Sequence, residues 1–498
     1  MPAPMKSEIR AEALTQLERV LPHVTRLMAP DAAAPTLAEF ARSLPHGRRG
    51  LQPVDDFIEA AAAQTRKLHG PQTAAKVTRE LERRPLALTA SHVSLEVHPR
   101  FFQGDLLFAL GCEEAVPVLS VTNIPLTNCA YPRGLLIASR SAASEMPCEI
   151  PLIPRGIPHR SVNSIPPWTE SAMRVALGRV MRNAALSEHE RVLITRLIHD
   201  HCLRPDILRR ESLAEQLLAL GNTFWDMTTR EAGLPPLVTL NHESLTAELI
   251  IRDLADPTTL VSRLLTEPAV VLELYRSLSG RAACWHVEEG HVVRGTFLFW
   301  AIDRTGCMRP LQPEPDGRAL VSSDGHKFRF ELKAAPLTEA LRTGAIVPGL
   351  FLLYSVTDIA RGLACAGGIL QSAYLPAMAE ALARVFETLG EQGLAAQIGV
   401  DSPFATGLVP LRAPTADGLA HCPAGPVDLM LAGGLTRDML EKFAATRLPD
   451  AVEASLASLY EHRIPQEKRV TGWQRALRSE PSLLLHPAGR AAADGTGD

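Results

Sequence analysis

The sequence predicts an α/β protein built on a Rossmann-like parallel sheet, with a helical N-terminal region, an inserted helical segment and a small β-rich segment. Three observations predict it. The apolar run Leu86-Ala87-Leu88 reads as a buried strand and passes at once into small polar residues. A second, β-branched run from Ala115 to Val121 follows a helical-looking stretch, Asp105 to Leu110. Strand, helix and strand thus fall within about forty residues, the signature of a βαβ unit. Further on, Ile346 to Tyr354 is a third apolar run, followed by Ala366-Gly367-Gly368 and a helix.

Composition bounds the rest. With 498 residues, 46% of them apolar and 21% charged, the chain has ample core for several domains or one elaborated α/β domain. A net charge of −4, with no basic block, points away from nucleic acid and from anionic membranes. The eight cysteines include no CxxC pair, which argues against a zinc ribbon or redox dithiol and for reduced thiols. The first residues carry no apolar signal stretch, and the most apolar run, 349 to 370, is interrupted by Asp358 and Arg361. A cytoplasmic protein with a small-molecule partner is expected; a homodimer is left open.

Taken in order, residues 1–84 read as helical, with Leu14, Leu17 and Leu21 at helical spacing and a helical pair from Phe57 to Arg84 split at Gly70-Pro71. Residues 85–165 form the first half of the core, with a further strand at Leu135 to Ser139 and a Pro-rich connection over 147–167. Residues 166–290 read as a helical insertion: Ala172 to Met181, Glu188 to Leu203, Glu211 to Leu220, then Asn241 capping a helix from Leu245 to Leu254. Residues 291–335 are the β-rich insertion, a hairpin turning at Arg304 to Gly306 and an alternating strand from Lys327 to Leu332. Residues 336–400 form the second half of the core: a helix from Pro336 to Thr343, the strand 346–354, the helix Tyr374 to Leu389 and a strand from Ala395 to Val400. Residues 401–498 are loop and short helices with a disordered tail at 488–498.

Polar residues at a strand end, just before a helix, mark the ligand edge of an open α/β sheet. The residues after the first strand supply Thr89, Ser91, His92 and His98, then Gln103 and Gly104; those after the second supply Asn123, Asn128 and Arg133; the later glycine loop supplies Gly367, Gly368, Gln371 and Tyr374. His92 and His98 are the general acid/base candidates, because imidazole titrates near neutrality. Asn123, Asn128 and Arg133 are suited to carboxylate or phosphate oxygens. Gly104, Gly367 and Gly368 would admit an anionic group to backbone N–H donors, with tight packing as the plain alternative for the later pair. No GxGxxG or GxxxxGK[ST] is present, so a nucleotide cofactor is admitted without a motif. No metal is assigned: consecutive helical residues such as His199-Asp200-His201-Cys202 diverge by about 100° and cannot converge on one ion.

In element order, residues 55 to 400 resemble the bacillithiol-synthesis cysteine ligases. Leu88-Thr89-Ala90-Ser91-His92 stands where that family has a TGQQ-type loop, and Gln103 to Leu107 resembles its helix start. Val116-Pro117-Val118-Leu119 resembles its second strand, and Gly295 to Leu311 its hairpin. Ile346-Val347-Pro348 with Ala366 to Tyr374 resembles its later GGPGE…Y loop. Ser91 and His92 replace the family's two glutamines, its acidic loop retains only Asn123, Thr127 and Asn128, and Gln371 stands where its glutamate is lost. The resemblance implies a Rossmann-type core with inserted domains and an enzyme, ligase or transferase, that forms a carbon–nitrogen bond between an amino acid or amine and a small carboxylate- or phosphate-bearing molecule. Two other functions stand beside it: a non-catalytic small-molecule or partner-binding descendant, and a metal-dependent hydrolase using His92, His98 and His199 or His242.

Overall fold

The computed structural model describes residues 6–28, 33–89, 91–94, 98–124, 133–138, 140, 143–153, 159–281, 283–479 and 483–485. The expected tail at 488–498, Thr127 and the candidate Asn128 lie outside them. Five parallel strands form the central sheet: β1 (Leu86–Leu88), β2 (Val116–Ser120), β3 (Leu237–Asn241), β4 (Ala364–Gly368) and β5 (Phe404–Thr406). In space they run β5-β4-β1-β2-β3. The first strand therefore lies in the middle, and the chain builds outward from it first to one side and then to the other. This is the 3-2-1-4-5 order of doubly wound sheets.

Both faces of the sheet are covered, as an all-parallel sheet requires. Pleating sends alternate side chains to opposite faces. Ala87, Leu119, Val238 and Cys365 face one core, where the helices Asp55–His69, Pro71–Arg83, α2 (His242–Asp253) and α3 (Gln371–Thr388) pack. Leu86, Leu88, Val116, Val118, Ala364 and Ala366 face the other, against α1 (Pro99–Ala109), the helices of residues 6–43 and α4 (Leu448–Arg463). A third core gathers the hairpin Gly134–Ile137/Cys148–Pro151 and the helices Glu170–Met181, Glu188–Leu197 and Leu213–Thr229. The β-rich segment is a separate antiparallel sheet that includes Phe299–Ile302, Met308–Pro313 and Ile346–Pro348. Among the described residues no helix is long and apolar enough to cross a membrane.

Several elements differ from the sequence reading. Residues 237–241, read inside a helical insertion, are core strand β3; Pro235 and Pro236 before it and the Asn241 cap after it disguise a five-residue strand as a loop. The run 346–354 is a strand only to Pro348, and it pairs with Phe299–Ile302 rather than with the core. Pro348 lacks a donor N–H and Gly349 breaks the extension, so Leu350–Tyr354 is helical and continues into a widened turn at Ser355–Ile359. The glycine pair 367–368 is not a loop but the end of β4. Residues 395–400 form no strand; the edge of the sheet is β5, past Pro403. The Pro-rich connection contains the strand Cys148–Pro151. The region after 401 contains the sixteen-residue α4 and a small sheet of its own.

One buried ion pair fastens α2 to the connection entering β4. Arg361, fully buried, donates from Nη2 to Asp253 Oδ1 at 2.8 Å and from Nη1 to Oδ2 at 3.1 Å, and from Nη1 also to the Val356 carbonyl at 3.1 Å. Gln52 adds a hydrogen bond to the same carboxylate. Removing one partner strands a charge in the interior. Asp253→Ala is expected to lose about 3–5 kcal/mol in urea unfolding, and the double variant Asp253→Leu/Arg361→Met to recover most of it. A loss below about 1 kcal/mol for the single variant would contradict this assignment.

Candidate functional site

Strands β1 and β4 are neighbours whose connections depart to opposite sides of the sheet, which makes the gap beyond their carboxyl ends the topological switch point. A cavity of about 320 Å³ opens there. Thr89, His92, His98, Gly368, Gln371 and Tyr374, drawn from both halves of the core, line it together. Arg100 and Phe101 from α1, Tyr354, and Leu459, His462 and Arg463 from the end of α4 complete much of the wall.

The floor is a closed hydrogen-bond network centred on the Gln371 amide. Its Nε2 donates to Thr89 Oγ1 at 2.8 Å and to the Cys365 carbonyl at 3.0 Å, and its Oε1 accepts from the Tyr354 hydroxyl at 2.6 Å. Thr89 Oγ1 in turn lies 3.2 Å from the Ala366 carbonyl, to which it donates. The ends of β1 and β4 and the start of α3 are thereby tied to one side chain. Gly367 makes this possible: a Cβ there would overlap the Gln371 amide. Gly367 thus admits a side chain rather than a ligand. Gly368 differs, since a Cβ on it would meet nothing within 4 Å and would project into open space. Burial raises the hydroxyl pKa of Tyr354, and pushes that of Tyr374, its ring centroid 6.3 Å away, up to about 12. Both phenols are therefore held neutral.

The two histidines sit where β1 gives way to α1. His92 bridges to Val121 and extends the β1–β2 pairing, with its ring 5.7 Å from that of Phe101. Burial brings its pKa down to about 3. His98 caps α1: its Nδ1 accepts from the Arg100 backbone N–H at 3.3 Å, and Pro99 opens the helix behind it. Burial, reinforced by Arg100 and His462, brings His98 down to about 3 as well. Both imidazoles are neutral near pH 7, and in this environment they are much weaker bases than an ordinary imidazole.

Other candidates are spoken for elsewhere. Gln103 donates to the carbonyls of Leu411 and Ala424 at 2.8 and 2.9 Å and accepts from Leu411 N–H, which ties α1 to the C-terminal region. Gly104 lets α1 lie against Thr406 of β5. Ser91 is buried, and its carbonyl extends the sheet to Val121. Asn123 accepts from Ser161 Oγ at 2.7 Å, while its backbone N–H and that of Thr122 bind the buried carboxylate of Glu243. Arg133 pairs with Glu149 at 3.5 Å. None of these five lines the cavity. Among the described residues no three His, Cys, Asp or Glu side chains gather as a metal site. His199 is exposed beside Asp200, and His242 packs its ring 6.0 Å from that of Tyr354.

No protein-family model matches the chain, and no curated protein or solved structure matches it. The residues that sequence reasoning missed are Arg100, Phe101, Tyr354, His462 and Arg463. Arg100 and Phe101 lay inside the stretch already singled out. The α4 residues carried no local signal, because only folding brings the end of that helix to the switch point.

Two outcomes follow from this geometry. Gly367→Ala is expected to destabilise the protein by about 1–3 kcal/mol through the displaced amide, and Gly368→Ala to change it by less than about 0.5 kcal/mol; urea unfolding of the pair checks both. The second concerns pH. An unfolded histidine protonates near pH 6.5 but folded His98 only near 3, so its neutral burial is fully tolerated above about 6.5 and costs stability as the pH falls toward 3. His98→Asn keeps a capping oxygen and removes that cost. The variant should gain about 2 kcal/mol on the native protein between pH 7 and pH 5; parallel unfolding curves at the two values would contradict it.

Proposed function

We propose that the switch-point cavity is the working site of an enzyme of ligase or transferase type, which joins an amine or amino acid to a small carboxylate- or phosphate-bearing molecule. The observation that carries the reading is the convergence of Thr89, His92, His98, Gly368, Gln371 and Tyr374 on one cavity at the carboxyl ends of β1 and β4. An anionic ligand beside His92 would raise its pKa from about 3 back toward neutrality, where the imidazole can take the surplus proton of an attacking amine as the carbon–nitrogen bond forms and the acceptor's leaving group departs. Arg100 and Arg463 on the same wall favour an anionic acceptor. The resemblance in element order to the cysteine ligases points the same way.

A second reading, a non-catalytic binding protein, draws on a different observation. No carboxylate is found among the described lining residues, and the polar atoms of Gln371, Thr89 and Tyr354 are largely engaged with one another. Incubation with amines, amino acids and organic acids, with and without a nucleoside triphosphate and magnesium, followed by mass spectrometry, separates the two. The enzyme reading expects a condensed product whose rate falls about 10²–10⁴-fold in His92→Ala, with ligand-induced thermal stabilisation retained. Stabilisation without product under every condition would favour the binding protein. Neither product nor stabilisation would overturn both readings.

A further inference from the structure

We infer that the cavity selects an amphiphilic organic acid, seating one carboxylate between His98, Arg100 and Arg463 and laying an apolar tail along Phe101, Ile369 and Leu459. The inference rests on the reading of this cavity as a ligand site and names the class of ligand.

The polar end of the cavity carries donors that the protein leaves unused. His98 is 7% exposed, and its Nδ1 is occupied as the acceptor of the cap. Its Nε2 must then bear the ring proton, yet that atom is buried and has no hydrogen-bond partner. A buried N–H without an acceptor is destabilising, and an arriving oxygen relieves it. Arg100 is held in one orientation, donating from Nε to Ser458 Oγ at 2.8 Å and from Nη2 to the Ser458 carbonyl at 2.7 Å. Those bonds leave Nη1 without a partner among the described residues. Arg463, half-buried on the same wall, makes no hydrogen bond or ion pair with any described residue. A planar guanidinium held by its other nitrogens is well formed to receive a carboxylate.

Arg100 and Arg463 together outnumber Glu461, the neighbouring acid that acts on Arg100 without an ion pair of its own among the described residues. Glu145 is already bound by Arg412 at 2.7 Å and Arg478 at 2.9 Å, and Glu461 accepts from Ser144 Oγ at 3.0 Å and Glu145 N–H at 2.7 Å. The rest of the wall offers fewer donors, the buried Thr406 hydroxyl being one that has no partner among the described residues. Val121, Leu350 and Leu370 join the tail-binding side chains, and the amide, hydroxyl and phenol of the floor satisfy one another. One anionic end and an apolar remainder suit a monocarboxylic acid with an aromatic or branched tail. A nucleotide, with several phosphates and a polar base, would find too few partners.

The test is titration calorimetry of the full-length protein with 3-phenylpropionate, its neutral amide 3-phenylpropanamide and ATP, repeated with Arg463→Gln and with His98→Asn, which retains a cap. The expected result is that the native protein binds the acid at least tenfold more tightly than the amide, and that each substitution weakens the acid about tenfold and leaves the amide unchanged. Equal binding of acid and amide would overturn the carboxylate seat and leave the cavity standing as a ligand site. ATP binding more tightly than the acid, with the same sensitivity to Arg463→Gln, would overturn the ligand class. Binding of none of the three would overturn the ligand site and this inference together.

Discussion

A single buried amide, that of Gln371, holds the switch point together. Strands β1 and β4 are adjacent in the sheet, but the chain leaves them in opposite directions, and the backbone ladder between the two ends at the Thr89 N–H bond to the Ala366 carbonyl. Gln371 supplies the missing tie by bonding Thr89 beyond β1, Cys365 within β4 and Tyr354 from the preceding helix. Each such bond contributes about 0.5–1.5 kcal/mol net, and losing one partner would leave the others unsatisfied in the interior. The requirement extends to the neighbouring position, because only a glycine at 367 leaves room for the amide. The cavity begins where this network ends.

The walls of that cavity come from distant parts of the chain. Leu21 from the N-terminal helices and Leu459 and Arg463 from α4 meet the core loops there. The N-terminal and C-terminal regions share one hydrophobic core with the face of the sheet that carries Leu86, Leu88 and Val116. Residues 401–485 are thus not an appendage: they supply an edge strand, β5, and one wall of the site. Beneath it, the Arg361–Asp253 pair anchors the segment leading into β4. Stability and site geometry depend on the same elements.

The sequence was most legible where structure is local. The first two core strands, the helical pair split at Gly70-Pro71 and the hairpin at Gly306 each rest on short-range patterns of apolar spacing and turn chemistry. Strand β3 was hidden because Pro235, Pro236 and Asn241 are loop residues by any local rule, although the intervening residues pair with β2 along their whole length. Strand β4 was hidden by its glycines, one of which, Gly367, the nearby Gln371 amide requires. In the site, strand-end position brings Thr89, His92 and His98 to the cavity, while Ser91, Gln103 and Gly104 from the same stretch do not line it. Asn123 and Arg133 looked equivalent but are claimed by Ser161 and Glu149, and the backbone of Asn123 by Glu243 as well. Which polar group is left for a ligand depends on which partners the fold delivers, and that is not written in the spacing.

Filling the cavity is the most direct test of its role. A Cβ on Gly368 points into open space, so Gly368→Phe would place a ring in the cavity while leaving the Gln371 network intact. Calorimetric titration of native and Gly368→Phe protein with small organic acids, alongside urea unfolding of both, tests the claim. An unchanged unfolding midpoint with binding abolished is the predicted result. Undiminished binding to a folded Gly368→Phe protein would contradict the account, because the ligand would then sit somewhere other than the switch point.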